Sequence, residues 1–411
     1  MYAKFLAGLA VAGGLLQAGE PRLLNNNMLA ALRAEAARTH PSVAAAKHRA
    51  EAAALDVRGV RLWNDPMVGL GLMAAEQSMR TDLGDLIVGV EQTLPKPGMY
   101  AAKRLKAEAL HRAEMASATA AALTASATAA RDAIELALAD ESITLQQAQV
   151  TWLAAMAENA RQHLADPTGT SLDALRMETA LVKETQVLEA VRRTRDGVAR
   201  KLNLTLGRPV DTAWPALKLP ATPPPVPLAP AEIARIPYAN PKVRVLREMA
   251  GAASQDTRIA NRERLPAVSV GIDTSVYSGG DWRSTTLGVK MSLPWFNDRS
   301  YQANIAAARS RELAANREVE TLRREIATEV LTSATEAANA AAQARAYGGE
   351  IQAKALQANQ AIEAAWLSSK VPLTELLDAS RMLFSIRLEQ RRFTAMQLAA
   401  IEQLHALVPN R

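Results

Sequence analysis

Cysteine is absent from the 411 residues, aromatic residues make up only 4% of them, and no long apolar run follows residue 18. Without cysteine the chain has neither a disulfide framework nor a lipoprotein acylation site. Without about 18 consecutive apolar residues it has no predicted transmembrane helix. Few aromatics and abundant alanine, which has the highest helix propensity, favour extended helical packing over a compact globule.

Motifs for catalysis and for nucleic-acid or metal binding are also missing. The 48 basic and 42 acidic residues give a net charge of +6, but no basic cluster is interleaved with aromatics, so nucleic-acid binding is not expected. No nucleophile elbow, phosphate-binding loop or H-E-x-x-H helix occurs, so we expect no enzyme. The 13 methionines form no tight group. We expect no cofactor and no dedicated metal site, because the histidines are scattered: His40, His48, His111, His163 and His405.

The N-terminus has the pattern of a secretory signal. Lys4 precedes an apolar run over residues 5–16, which ends in Gln17-Ala18-Gly19 with small residues at 18 and 19. This pattern predicts a signal peptide over residues 1–18 and an exported mature protein. The alternative is the start of a buried apolar helix.

The chain repeats itself at a spacing of about 200 residues. Pro41 recurs as Pro241 (241 − 41 = 200), and Pro95 recurs as Pro294 (294 − 95 = 199). A series of such matches in register indicates a duplication. We therefore expect a first structural repeat over residues 19–218, a stiff, extended, Pro-rich linker over 219–230 and a second repeat over 231–411.

Each repeat is predicted to contain very long helices. In the first repeat the helices are expected over residues 27–62, 99–165 and 171–206. In the second they are expected over 231–264 and 301–368, with a last helix that follows a break at 369–372 and ends near Val408. At 1.5 Å per residue, the helix over 99–165 would be about 100 Å long.

Each repeat also contains two short alternating segments, over residues 66–76 and 85–94 and over 268–275 and 287–293. Large apolar residues alternate there with small or polar ones, as in transmembrane β-strands. Four strands cannot close a barrel in lipid, so three copies with 12 strands are expected. Three charged residues would then face the lumen: Glu91, Asp273 and Lys290. The alternative is a soluble four-stranded sheet covered by helices.

Three features occur twice in the chain: a proline at a helix start, a pair of strands, and a tip segment, at residues 169–175 and 373–379. Together they resemble the TolC-like outer-membrane efflux factor family. The resemblance implies a mainly α fold with a membrane β-barrel, in which a homotrimer forms a 12-stranded barrel and a long helical tunnel. It also implies a location in the outer-membrane lipid with a long periplasmic extension. The tunnel would be a passive exit duct, docked to a periplasmic adaptor and an inner-membrane RND-type pump.

Two stretches, residues 92–98 and 293–299, resemble the heavy-metal (CzcC/CusC-like) branch, which implies metal cations as cargo. The residues that follow them, Met99-Tyr100 and Ser300-Tyr301, depart from the usual pattern of that branch. Three alternatives stay open. They are a duct for drugs or secreted proteins, a periplasmic helical adaptor, and a structural coiled-coil protein.

The resemblance places an acidic gate ring at the tunnel tip, on Glu375 and Asp378, where the alternative role is interaction with the helix dipole. Asp173 is expected to be a helix cap or a partner that locks the tip. A set of residues at the tip is expected to dock to the adaptor, and the alternative for them is packing of the hairpin turn itself. The set is Gly169, Thr170, Ser171, Leu172, Asp173, Val371, Pro372 and Leu373.

Overall fold

The computed structural model describes residues 21–73, 85–162, 171–221, 230–277, 280–368 and 370–407. The first half contains, in order, β1 (Arg22–Leu23), α1 (Asn26–Thr39), α2 (Pro41–Gly59), β2 (Met67–Met73), β3 (Asp85–Thr93), α3 (Met99–Gln162), α4 (Ser171–Leu206) and β4 (Leu217–Lys218). The second half contains α5 (Pro230–Ala239), α6 (Pro241–Glu263), β5 (Val268–Tyr277), β6 (Trp282–Met291), α7 (Asp298–Ala346), α8 (Gln352–Leu367) and α9 (Leu373–Leu407).

The duplication is visible in how two equivalent helices begin. The helices expected over 27–62 and 231–264 are each broken one residue before a proline, so those two predictions were wrong in their continuity. His40 and Asn240 have nearly the same extended backbone, and each side chain accepts a hydrogen bond from the N–H two residues on. Proline disfavours the helical conformation at the residue before it and fits the first helical position, which explains both breaks.

The helix expected over 301–368 is also divided. α7 ends at Ala346, a π-type turn spans Tyr347–Ile351, and α8 then begins at Gln352. Gly348 and Gly349 lie in that turn, and Gly349 has the non-helical dihedrals φ −102° and ψ −114°. Two adjacent glycines have low helix propensity and permit the break.

The residues just before the expected linker, and its first residue, are packed in unit 1. β4 pairs in parallel with β1, through Arg22 opposite Leu217 and Leu23 opposite Lys218. Leu219 follows β4 and is fully buried. At the other end, Pro230 already belongs to α5. Residues 222–229 of the expected linker lie outside the described residues.

The chain forms two compact units, and each takes residues from both sequence halves. Unit 1 comprises the described parts of Met1–Ala36, Ser126–Pro227 and Ser333–Gln403. Unit 2 comprises the described parts of Ala37–Ala125, Leu228–Thr332 and Leu404–Arg411.

Unit 1 holds the β1–β4 pair in place with two buried carboxylates of α3. Asp140 accepts hydrogen bonds from Arg195 Nε and from the backbone N–H of Leu217, both at 2.8 Å. Glu141 lies 2.8 Å from Arg391 Nε on α9. Buried charges of this kind are tolerated because each is paired and hydrogen-bonded.

A second ion pair in unit 1 joins α1 to the segment after α4. Arg208 donates two hydrogen bonds of 2.6 Å, one to each carboxylate oxygen of Glu35. These hydrogen bonds raise the pKa of the Arg208 guanidinium above its ordinary value. The pair is half-buried and bidentate, which is the strong geometry for an arginine and a carboxylate.

Unit 2 contains a four-stranded antiparallel sheet in the order β2-β3-β5-β6. All four expected strands are therefore confirmed, with β6 beginning five residues earlier than the alternation indicated (287 − 282 = 5). β3 and β5 are the central pair, joined over the whole length of β3 from Asp85 opposite Tyr277 to Thr93 opposite Ser269.

Candidate functional site

One face of the sheet is apolar and exposed. The strand register places its side chains side by side, as in Val68 opposite Val90 and Ile272 opposite Leu287. The apolar sheet face comprises Val68, Leu70, Leu72, Leu86, Val88, Val90, Ile272, Leu287, Val289 and Met291, all exposed. Leu70 and Leu72 are 77% and 86% exposed, so no described helix covers them. A contiguous apolar surface of this kind marks a site of contact with a partner or a lipid.

The other face, the polar sheet face, carries small residues and the three charged residues expected to face a lumen: Glu91, Asp273 and Lys290. Lys290 Nζ donates to Glu91 Oε2 at 2.6 Å across the sheet. Asp273 pairs with Gly89, and a Cβ at position 89 would lie 2.0 Å from the Asp273 carboxylate, so the carboxylate occupies space that the glycine leaves open. The sheet therefore brings all three charges together on one side.

The sheet has two edges. β2 and β6 are the outer strands, and among the described residues each is hydrogen-bonded to a single neighbouring strand. An exposed edge strand presents a row of unpaired backbone groups that can template pairing with another chain. Because the sheet has an even number of antiparallel strands, β6 of one copy would meet β2 of the next in antiparallel orientation.

Aromatic residues that were not among the sequence-predicted site residues flank the apolar sheet face. Trp63 precedes β2, while Trp295 and Phe296 follow β6 at the same end of the sheet, and all three are exposed. Trp282, also exposed, begins β6 at the opposite end. In the sequence, the signal for these aromatic residues is a tryptophan just outside an alternating segment. Aromatics at the two ends of a strand are typical of membrane–water interfaces.

The second candidate site is the end of the helical hairpins in unit 1. Leu153 and Met156 of α3, Met177 of α4 and Leu376 of α9 belong to one buried apolar cluster there, the hairpin core. Leu373 is in the same cluster and only 2% exposed. Leu373 therefore packs inside the hairpin, and its side chain is not available for adaptor docking in this chain.

The acidic gate candidates lie on the outside of this cluster. Glu375 and Asp378 are both exposed in the first turns of α9. Asp378 Oδ1 lies 3.6 Å from Arg381 Nη1, a pair largely open to solvent. Glu375 donates its backbone N–H to the carbonyl oxygen of Pro372, which closes the first turn of the helix.

The remaining docking candidates are divided. Leu172 and Pro372 are exposed, whereas Asp173 and Val371 are half-buried. Ser171 begins α4. Gly169 and Thr170 lie outside the described residues.

Within the described part of the chain, no group of three or more His, Asp or Glu side chains is arranged to hold a metal ion. Within the same residues, no helix has both the length and the apolar character needed to cross a membrane.

The fold of this chain is shared with solved outer-membrane channel proteins. The outer-membrane channel OprN superposes with a TM-score of 0.81 at 16% identity, over 92% of this chain and 89% of that chain. CusC gives a TM-score of 0.81 at 15% identity, over 97% of this chain and 96% of that chain. VceC from Vibrio cholerae gives 0.78 at 17% identity, over 93% and 96%.

Sequence comparison adds a partial family match. The model of the outer membrane efflux protein family matches residues 238–409, which is less than half of the chain. No curated protein sequence matches the chain. At these identities the structural likeness establishes the fold, a mainly helical chain with a four-stranded sheet, as in the solved outer-membrane channels.

Proposed function

We propose that this chain is one protomer of a homotrimeric outer-membrane channel, the passive exit duct of a tripartite efflux system. The observation that carries the proposal is the amphipathic sheet, whose apolar face is exposed and whose outer strands β2 and β6 have one neighbour each among the described residues. In lipid an unpaired backbone group is costly, so such a sheet must be closed by further copies.

Three copies are the number that we propose. A head-to-tail interface between β6 of one copy and β2 of the next generates a ring when its rotation closes. Three sheets of four strands give 12 strands (3 × 4), enough to enclose a water-filled lumen. In this arrangement the polar sheet face, with Glu91, Asp273 and Lys290, lines the lumen, and the apolar face meets the lipid.

The aromatic residues support the same orientation. Trp63, Trp295 and Phe296 lie at the end of the sheet from which the helices continue, and Trp282 lies at the other end. We infer that they mark the two membrane interfaces, with the helices extending into the periplasm. Residues 1–18 would then be the signal peptide that directs export, which N-terminal sequencing of the mature protein tests.

We propose that the hairpin ends contact a periplasmic adaptor, which connects the channel to an inner-membrane RND-type pump. The exposed Leu172 and Pro372 are apolar residues on the surface of a well-packed hairpin core, and they are suited to such a contact. The energy for export comes from the pump, and the channel itself carries out no chemical reaction.

Channel activity and the acidic ring are tested in the same planar-bilayer recordings. Three copies of Glu375 and Asp378 around an axis would attract cations, so Glu375→Gln with Asp378→Asn should lower the cation-to-anion permeability ratio. Glu350→Gln is the matched control, because Glu350 is also exposed but pairs with Lys354 on α8. Absence of single-channel currents from the purified wild-type protein would remove the channel proposal. An unchanged ratio in the double variant would remove the ring alone.

For the cargo we propose heavy-metal cations. The support is the likeness of residues 92–98 and 293–299 to the metal branch. A dedicated metal site is not required for this cargo, because a conduit has no need of tight binding. A deletion strain and its complemented control should be compared on zinc, cadmium, cobalt, nickel, copper and silver salts, beside dyes, detergents and antibiotics. Sensitivity confined to metals supports this proposal, whereas sensitivity confined to organic compounds replaces it with a drug-efflux duct.

A further inference from the structure

The two repeats differ in the residues that flank their strands, at the end of the sheet from which the helices continue. With the offset of 200 found at the helix starts, Arg262 of the second repeat corresponds to Leu62 of the first (262 − 200 = 62). With the offset of 199 found after the strands, Trp295 corresponds to Lys96 (295 − 199 = 96). At these two positions the central strands β3 and β5 are flanked by basic residues, and the outer strands β2 and β6 by apolar ones.

Lys96 and Arg262, the basic pair, are held at one junction between the segment after β3 and the end of α6. Lys96 Nζ donates a hydrogen bond of 2.8 Å to the carbonyl oxygen of Glu263. The Arg262 guanidinium lies over Gly98, where a Cβ would be 3.3 Å from Arg262 Nε. Gly98 has a φ of +73°, a conformation that favours glycine. The junction therefore fixes two cations on two adjoining segments.

The basic pair has no counter-ion within the described part of the chain. Neither member forms an ion pair there, whereas the neighbouring Arg264 is paired with Asp298 at 3.0 Å. Glu263 lines the groove between α6 and α7, where Arg311 also lies. The negative end of the α6 dipole supplies only about half a unit charge against two positive ones. Repulsion between the two cations is relieved when an anion binds to both.

The surroundings of the basic pair indicate that this anion belongs to a lipid. Leu94 precedes Lys96 by two residues, is exposed, and by alternation along β3 extends the apolar sheet face. Its N–H still donates to the carbonyl oxygen of Val268 at 2.8 Å, so the pairing of the strands continues to this point. Trp63 and Trp295 are exposed at the same end of the sheet. Headgroup phosphates lie at such a boundary between apolar and aqueous surroundings, and lysine and arginine bind them.

We propose that the basic pair binds the phosphate of an anionic phospholipid headgroup, with one such site in each copy of the chain. This inference rests on the proposed function, because the sheet must lie in the outer membrane with the helices in the periplasm. The pair then lies in the membrane leaflet that faces the helices. A bound headgroup neutralises the pair and ties the junction between sheet and helices to the membrane surface.

The preference of the purified full chain for anionic lipid tests the site. In dodecyl maltoside micelles, quenching of tryptophan fluorescence by lipids with brominated acyl chains gives the binding constant of phosphatidylglycerol relative to phosphatidylcholine. Both lipids contain a phosphate, but choline cancels its charge. An attraction of about fivefold per basic residue predicts a ratio of roughly 25 for the wild type. Lys96→Gln with Arg262→Gln should lower the ratio to about one.

The matched control removes two charges from the same region of the chain, farther from the sheet. Arg244→Gln with Arg317→Gln changes exposed arginines on α6 and α7, 18 residues from Arg262 (262 − 244 = 18) and 19 from Asp298 (317 − 298 = 19). Each lies about 27 Å along its helix, so the ratio should not change. The exchange of Lys96→Arg with Arg262→Lys keeps both charges and should keep most of the preference.

The outcomes are separable. A wild-type ratio near one overturns the site, even if the glutamine variant does not fold. An equal ratio in that variant and its control also overturns it. Loss of the preference when inorganic phosphate is added at the concentration of the lipid assigns the pair to a free anion and overturns the lipid site.

Planar-bilayer recordings separate this site from the proposed channel function. A protein that prefers phosphatidylglycerol through the basic pair but gives no currents supports the site and removes the channel. Currents from a protein without the lipid preference remove the site alone.

Discussion

Two neighbouring residues of β6 allow the orientation of the sheet to be tested with one substitution each. Leu287 belongs to the apolar sheet face and is 70% exposed. Thr286 lies on the polar face, opposite Asp273. Because side chains alternate along a strand, Leu287→Arg and Thr286→Arg place the same charge on opposite faces at nearly the same depth.

The expected magnitudes differ sharply. An arginine on the lipid face near the middle of a membrane strand costs about 2–4 kcal/mol of unfolding free energy. That cost corresponds to a roughly 30- to 700-fold change in the folded-to-unfolded ratio, at 1.4 kcal/mol per factor of ten. An arginine at position 286 would enter the lumen beside Asp273, and we expect it to cost about 0.5 kcal/mol or less.

The assay is urea unfolding of the protein reconstituted in phospholipid vesicles, followed by tryptophan fluorescence, with the folded fraction in outer-membrane preparations as a second readout. Leu287→Arg should shift the midpoint to lower urea and reduce the membrane-inserted amount, and Thr286→Arg should do neither. If both substitutions have the same small effect, the apolar sheet face does not meet lipid and the reasoning fails.

Further predictions concern packing, an ion pair and the lumen. Leu376→Ala should destabilise the hairpin end by about 2–5 kcal/mol, measured as faster proteolysis there, while the exposed Leu175→Ala changes little. Alanine substitutions at Arg208 and Glu35 should give a coupling energy of about 1 kcal/mol in a double-mutant cycle by chemical denaturation, and additive effects would contradict it. Lys290→Gln removes a positive charge from the polar sheet face, so reversal potentials should report a higher cation-to-anion permeability ratio.

The sequence was sufficient to predict the four strands of the sheet and the long helix α3, because the signals for them are local. Alternation over residues 268–275 predicts β5, and the proline-free run from Met99 predicts α3, whatever the rest of the chain does. The duplication strengthened both predictions, because each signal occurs twice.

The features that were missed depend on single residues or on contacts between distant segments. Two-residue strands such as β1 and β4 have no periodicity, and their pairing depends on Asp140, which is 77 residues away from Leu217. The glycine turn before α8 is a break of five residues in an otherwise helical pattern. A helix-favouring alanine-rich context conceals such a break until the backbone is seen.

For the candidate sites, sequence alternation correctly placed Glu91, Asp273 and Lys290 on one face of the sheet. It could not distinguish docking from packing at Leu373, because an apolar residue in the first turn of a helix is suited to either. Burial in the hairpin core, at 2% exposure, decides for packing within this chain.

The central claim, closure of three sheets into one barrel, can be measured directly because the chain has no cysteine. A cysteine at Gly69 on β2 should be combined in turn with cysteines at Ser284, Thr286 and Gly288 on β6. Oxidation in native membranes should give, for at least one pair, a covalent ladder that ends at three chains. The same β6 cysteines combined with Val88→Cys on the central strand β3 should give none. No interchain disulfide for any edge pair, or a ladder that continues beyond three chains, would contradict the trimeric barrel.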